Sequence, residues 1–343
     1  MKKDDVLSEW NESEEQTDEK SAKKLVWRTR LSISFTVVRM LLLIFLLYVI
    51  YMIPISIYYE MSGKSAEFDR LVTTLVETRH PGIAVEKSGS NEAEINPFLT
   101  QHTSINLYRQ VGDWQVVVGE VTAKKWVFGQ INYTVDLDKK FLNNDNTTFV
   151  VAPDLLGNTF TEYDSGVMTL AEQLGKIDDG YVVQANFSTK ESMTPEELRD
   201  IISKYDVTIQ QMPVYGGELT EFETSYSKAG QFTFIPSLML RPYTQYGDEN
   251  RLSSWFHSLN EQEGLSEAVE KFYDDIAWLI DKGSYQEKDI DQKRLDYINE
   301  NGLNVYGATV TGPIREIERL EEEVMFHQFE LGGIEVWKWD GSY

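Results

Sequence analysis

Residues 40–59 read MLLLIFLLYVIYMIPISIYY, twenty positions without one charged side chain. Coiled as a helix rising 1.5 Å per residue, such a run covers about 30 Å, the thickness of a bilayer's hydrocarbon core. Apolar character reaches back through Ile33, Phe35, Val37 and Val38, so the pattern predicts a transmembrane helix over 33–59, with Arg39 snorkelling to the near interface. Pro54 is expected to kink its last turn or end it. Tyr48, Tyr51, Tyr58 and Tyr59 supply amphipathic rings of the kind that favour a membrane–water boundary. A buried core helix and a cleaved signal peptide are the competing readings. The long polar leader, the length of the run and the absence of a small-x-small site in the MSGKSAEF that follows favour a retained anchor.

The flanks orient it. Residues 1–39 carry 8 basic and 8 acidic side chains, whereas residues 60–343 carry 24 and 48, so the whole net charge of −24 lies beyond the apolar run. Lys20, Lys23, Lys24, Arg28, Arg30 and Arg39 crowd the N-terminal side. The positive-inside rule then places the tail (1–32) in the cytoplasm and residues 60–343 outside the cell. An acidic balance of this size argues against direct nucleic-acid binding, which needs basic surface. The chain has no cysteine, which removes disulfides, thiolate metal sites and cysteine nucleophiles together.

Within the tail, Asn11 to Lys20 is acidic and lacks apolar residues, as a disordered segment or a solvated helix face would. Val6, Leu7 and Trp10 share one helical stripe on a segment with no core to join. Two readings stand: a helix that folds into a partner's groove, or a frayed end without a role.

Beyond the apolar run, Phe68, Leu71, Val72, Leu75 and Val76 mark an amphipathic helix that Pro81-Gly82 stops. Stretches 103–122 and 125–136, rich in Val, Ile, Tyr and Trp, read as a β-meander turning at Gly112-Asp113. Asn143 to Asn146 reads as a loop, and 167–177 as a helix before a strand at 181–187. Thr194-Pro195-Glu196-Glu197 opens a helix with a capping box. Strands are expected at 207–209 and 305–310, helices at 251–262, 265–282, 290–300 and 313–323, one or two strands over 326–339, and loops through 213–250. The fold class expected is an α/β (α+β) extracytoplasmic domain with a β-rich N-terminal part, tethered by a single transmembrane helix. Its division is 60–165 for the β-rich region and 166–343 for the α/β region.

Catalytic chemistry is hard to find. His80, His102, His257 and His327 have no metal-ligand spacing, and no nucleophile elbow, phosphate loop or calcium loop occurs. Asp274-Asp275, Glu196-Glu197 and Glu321-Glu322-Glu323 read as solvated helix faces. No cofactor and no enzymatic activity are expected.

The C-terminal region is distinctive in another way. RLDYI at 294–298, NGLNVYGATVTGP at 301–313, Glu316, Leu320 and EVWKW at 335–339 resemble the C-terminal domain of the bacterial sigma factor regulators, membrane-anchored anti-sigma factors similar to the anti-sigma-M factors of Gram-positive bacteria. The unit from Gly180 to Gln210 and the YYEMSGK at 58–64, just after the crossing, fit the same pattern. The resemblance covers about residues 25–343 and is loosest at 213–250. It implies a regulator whose cytoplasmic segment keeps an extracytoplasmic-function sigma factor from RNA polymerase while the outer domain responds to the envelope. Related chains carry a longer cytoplasmic region, so an accessory membrane protein is a candidate second partner beside the sigma factor and the lipid bilayer. The alternative is a cell-surface structural or ligand-binding module with no sigma partner; an outward-facing hydrolase ranks last, for want of a nucleophile, base or metal set.

Overall fold

The computed structural model describes residues 4–87, 93–138, 148–161, 170–247, 250, 252–255 and 258–337, with side chains from residue 21 onward except at Trp255. The chain divides into two compact units, Met1–Met61 and Ser62–Tyr343. The first is one helix, α1 (Asp4–Met61), which runs through Pro54 without ending there. Its segment Ser21–Met61 is long and apolar enough to cross a membrane, and the most apolar window is wholly unburied. Leu41 to Leu47 are each more than half exposed around the helix. The hydroxyls of Thr29 and Thr36 donate back to Leu25 O and Ser32 O (both 2.9 Å), so they need no outside partner.

The second unit opens with helix α2 (Lys64–Glu77), entered at Gly63, whose φ of 67° lies in the left-handed region that glycine adopts without cost. The apolar spacing read above buries Phe68, Leu71, Val72, Leu75 and Val76 almost completely. That burial contributes roughly 10 kcal/mol before entropy is counted. The strands that follow α2 are β1 (Ala84–Val85), β2 (Glu94–Ile95), β3 (Thr100–Val111), β4 (Trp114–Trp126) and β5 (Ile131–Leu137). They form one antiparallel sheet in the order β1-β3-β4-β5, with β2 also on β3. The expected meander is β3-β4-β5. The unit is nevertheless not β-rich at its start, because helix comes first and the sheets follow.

A short 3-10 turn (Pro153–Leu156) and helix α3 (Leu170–Leu174) lead to β6 (Tyr181–Met193), α4 (Pro195–Ile202) and β7 (Thr208–Tyr215). The capping box opens α4 as the sequence implies: Thr194 Oγ1 accepts from Glu197 N (3.3 Å), and Glu197 Oε2 accepts from Thr194 N (2.9 Å). Short strands β8 (Ser227–Ala229), β9 (Phe232–Phe234), β10 (Leu238–Leu240), β11 (Thr244–Tyr246) and β12 (Leu252–Trp255) occupy the loop-rich region. Then come α5 (Gln262–Lys282), α6 (Lys288–Asn301), β13 (Asn304–Pro313), α7 (Ile314–Glu321) and β14 (Phe326–Val336).

The second sheet has the order β10-β7-β13-β6-β14, every neighbour antiparallel. The β6-α4-β7 unit is thus split by β13, which gives a helix-backed, fully antiparallel sheet. Residues 251–262 are not the helix expected of them. Leu252–Trp255 pairs with Thr244–Tyr246 instead, and α5 begins only at Gln262. Apolar positions 252, 255, 256 and 259 mimic a helical stripe, but Ser253 and Ser254 favour it weakly and a non-local strand partner wins. The Asn143–Asn146 loop, residues 167–169, His257 and Trp339 lie outside the described residues.

Helix α5 belongs to both large cores. Leu265, Ala268, Phe272, Ile276 and Ile280 join α4, α6, α7 and the second sheet. Leu279 joins α2 and the first sheet.

Candidate functional site

Helix α2 is the first element after the apolar helix, so the contacts on α2 are those that hold the start of the second unit. One face of α2 is apolar and buried as described; the other is charged, and its residues are half-buried at Asp69 and Arg70 and fully buried at Glu77. Asp69 Oδ2 accepts from Ala93 N (2.8 Å). Arg70 pairs with Asp275 (3.5 Å) and donates to Asn250 Oδ1 (3.0 Å). Its guanidinium lies 3.8 Å from the Trp278 ring centroid and 4.3 Å from that of Tyr246, a cation–π sandwich.

At the last residue of α2, the Glu77 carboxylate faces Arg241 (2.9 Å) and Lys87 (3.3 Å) and accepts from Val85 N (3.1 Å). Arg241 turns its other amino group to Asp275 (3.0 Å), and Thr244 Oγ1 accepts from both Arg241 (3.0 Å) and Lys87 (2.9 Å). Burial pushes the Glu77 carboxyl up, but Lys87 and Arg241 more than offset this and hold it below the usual carboxylate range. Burial wins at Asp275, which is raised despite Arg241 and Arg70, and at Lys87, which is lowered despite Glu77.

A second network lies just past the helix. Asp291, fully buried on α6, is held by Arg79, by Tyr285 Oη (2.8 Å) and by Arg294 (3.0 Å). Arg294 also donates to Glu218 (2.6 Å) and to Pro236 O, and Gly216 N donates to the other Glu218 oxygen (2.7 Å). Burial would lower the Arg79 guanidinium, but Asp291 raises it on balance. Burial, with Arg79 beside it, pushes the neighbouring His80 down to about 4, so it is neutral at pH 7.

The turn between α2 and β1 is fixed by glutamines. Gln211 donates to Glu77 O (3.3 Å) and Ile83 O (3.2 Å) and accepts from Gly82 N (2.6 Å). Gln184 bonds Gln210 (2.6 Å) and Gln110 O (3.2 Å). Together these contacts clamp α2 and its exit to β7, β10, α5 and α6. Each buried charge has a partner, and removing one side of such a pair typically costs about 3–5 kcal/mol.

A cleft of about 560 Å³ opens beside Arg79, His80, Asn132, Tyr133, Tyr285 and Arg294. Its two arginines are already paired, Arg79 with Asp291 and Arg294 with Glu218 and Asp291. Among the described residues, no group of three or more His, Cys, Asp or Glu is placed to hold a metal ion. His102 is exposed on β3. His327 is pushed down to about 4 by burial, with Thr189 O at 3.3 Å.

Val6, Leu7 and Trp10 lie on the α1 backbone, and their side chains lie outside the described residues. Two of the acidic runs expected to be solvated are not uniformly so. Asp275 is 6% exposed, and Glu321 accepts from the Leu170 and Ala171 amides at the start of α3. Nothing in the sequence pattern singles out Arg70, Glu77, Arg79, Glu218, Arg241, Asp291 and Arg294 as a connected set. The available signal is that Glu77 and Arg79 closely follow the Leu75-Val76 pair of the apolar stripe.

Residues 19–116 match the model described as sigma factor regulator N-terminal, and residues 174–333 match sigma factor regulator C-terminal. The first match takes in the apolar part of α1, all of α2 and the chain into β4; the second takes in most of the second sheet. A probable anti-sigma-M factor, YhdL, of Bacillus subtilis (strain 168) is 23% identical over 292 residues, covering 82% of this chain and 74% of its own. No solved structure matches the chain significantly. With both halves of the pattern in order along one chain, at 19–116 and 174–333, the protein belongs to the sigma factor regulator family.

Proposed function

We propose that the protein is a membrane-anchored anti-sigma factor that controls an extracytoplasmic-function sigma factor in response to the cell envelope. The observation that carries this is the order along the chain: a sigma factor regulator N-terminal match spanning the apolar helix and α2, then a C-terminal match over the second sheet. The relative named as a probable anti-sigma-M factor supports the same reading.

In this proposal residues 1–32 form the cytoplasmic tail, 33–59 cross the membrane, and the regions 60–165 and 166–343 lie outside, the orientation following from the cations before the span. Val6, Leu7 and Trp10 contact the sigma factor, and an accessory membrane protein shares the grip. Coupling through one helix needs two states that differ in affinity for the partner. The clamp on α2 is the element to bias them: engaged, it holds the end of the span in one setting; released, it frees it.

A pull-down with the full chain, intact and as the Leu7→Asp plus Trp10→Asp variant, tests the inner contacts. The intact chain retains a sigma factor and the variant loses it. Transcript profiling of a deletion strain tests the outcome, with one coordinated regulon rising. Retention of no sigma factor, together with an unchanged transcriptome, refutes the proposal.

A further inference from the structure

The large apolar side chains at one end of the first sheet point into solvent. Phe128 is fully exposed, Phe98 is 80% and Trp126 67% exposed, and Val127 stands beside them. They sit on two neighbouring turns: Thr100 pairs with Trp126 across β3 and β4, and Ile131 with Lys125 across β4 and β5. Both turns are built. The Asn96 side chain accepts from Phe98 N and Thr100 N (both 3.0 Å), Leu99 N donates to Asn96 O (2.9 Å), and Gly129 N donates to Trp126 O (2.9 Å). The outer face of the same sheet is polar, carrying His102, Ser104, Asn106, Thr122 and Lys124. Aromatic rings held outward on hydrogen-bonded turns, beside an otherwise polar face, mark a contact surface.

We infer that this aromatic tip is seated in the headgroup region of the bilayer that α1 crosses. The inference rests on reading α1 as a membrane span. Gln101, in the first turn of β3, donates to Lys64 O (3.1 Å), so the tip and the start of α2 share one end of the unit. Five peptide units separate Tyr59, the last residue of the apolar run, from Lys64, and they reach at most about 18 Å. That covalent limit bounds how far Lys64 can stand from the end of the apolar run, and Gln101 and Trp126 lie at the same end of the sheet as Lys64. The chemistry fits the same occupant. Trp and Phe are rings that settle at headgroup depth. Lys124 shares the outer face of β4 with Trp126, and Lys64 and Lys125 lie close by with Glu67. Three lysines here stand against two carboxylates, Glu67 and Glu94, in a region that otherwise carries twice as many acidic as basic side chains.

Because the chain has no cysteine, single-cysteine variants report one site each. Full-length chains carrying Phe128→Cys, Asp113→Cys or Ile44→Cys are labelled with NBD. They are reconstituted at less than one chain per vesicle in phosphatidylcholine–phosphatidylglycerol, with and without doxyl-labelled lipid. Asp113 lies past the far end of the twelve-residue β3, about 36 Å from the tip. Labels at 44 and 128 are quenched at least twofold more than the label at 113, and adding Phe98→Asp plus Trp126→Asp returns 128 to the level of 113. Quenching at 44 with none at 128 overturns the tip contact and leaves the span intact, as a partner protein or a second copy covering the tip would require. No quenching at 44 overturns the span and the tip contact with it. Equal quenching at 113 and 128 also overturns the inference.

Discussion

Replacing Asp291 with Asn removes one charge and almost no volume, and the cost follows from what that carboxylate holds. It is fully buried and takes Arg79, Tyr285 Oη and Arg294 at once. In its absence Arg294 keeps Glu218, but the carboxylate left within pairing distance of Arg79 is Glu287 at 3.5 Å, a residue whose side chain is 44% exposed. The guanidinium of Arg79, with a side chain 10% exposed, is left short of a counter-charge. Breaking a buried pair from one side costs about 3–5 kcal/mol. For a cooperative unit of this size each kcal/mol moves the melting temperature by about 2–3 °C, so Asp291→Asn should melt about 6–15 °C lower. The assay is near-UV circular dichroism of the full chain in detergent micelles. Asp200→Asn, whose own side chain is 68% exposed beside Arg199, is the control and should fall within about 0.5 kcal/mol of wild type. Under the proposed function the same Asp291 variant loosens α2 and shifts sigma-dependent reporter expression. A melting temperature within about 2 °C of wild type would refute the claim that Asp291 anchors α2.

Acid should weaken the second unit in a defined window. His80 and His327 are held near 4 against an ordinary 6.5, so their contribution is complete above pH 6.5 and is lost as pH falls towards 4, by up to about 3 kcal/mol each. Urea midpoints at pH 7, 5.5 and 4.5 should fall in that order, and His80→Gln should flatten the slope. Glu77, depressed below 4.5, gives its own loss only at lower pH. Gly119→Ala would drive a methyl into Asp136 O and to 2.8 Å from Leu137 Cα, prising β4 from β5; its urea midpoint should drop by the equivalent of about 1–3 kcal/mol.

How much of this was legible in the sequence depends on how local the determinants are. Twenty uncharged residues state a membrane helix by themselves, and the α4 start is written within four residues, Thr194 to Glu197. The meander was legible because β3, β4 and β5 are joined by short turns. The helix expected over 251–262 failed because the deciding contact, β11 with β12, is a pairing that a periodic stripe does not record. The two ion networks were illegible for a stronger version of the same reason: Arg241 meets Asp275 34 positions away, and Arg79 meets Asp291 212 positions away. A charged residue on a helix reads as solvent-facing until the element that covers it is known. That is why Asp274 and Asp275 looked alike, although one is exposed and the other buried. The inner contacts proposed for Val6, Leu7 and Trp10 are made to another chain, and no intramolecular pattern speaks for them.

The double membership of α5 sets how the second unit fails. Ile276 and Ile280 seal one interior and Leu279 the other, from adjacent positions on a single rod. Neither sheet can come apart without stripping a side from that rod and wetting its neighbour's interior. Damage to either core is therefore felt in the other, and a weakened variant has no half-folded refuge in which one sheet survives alone.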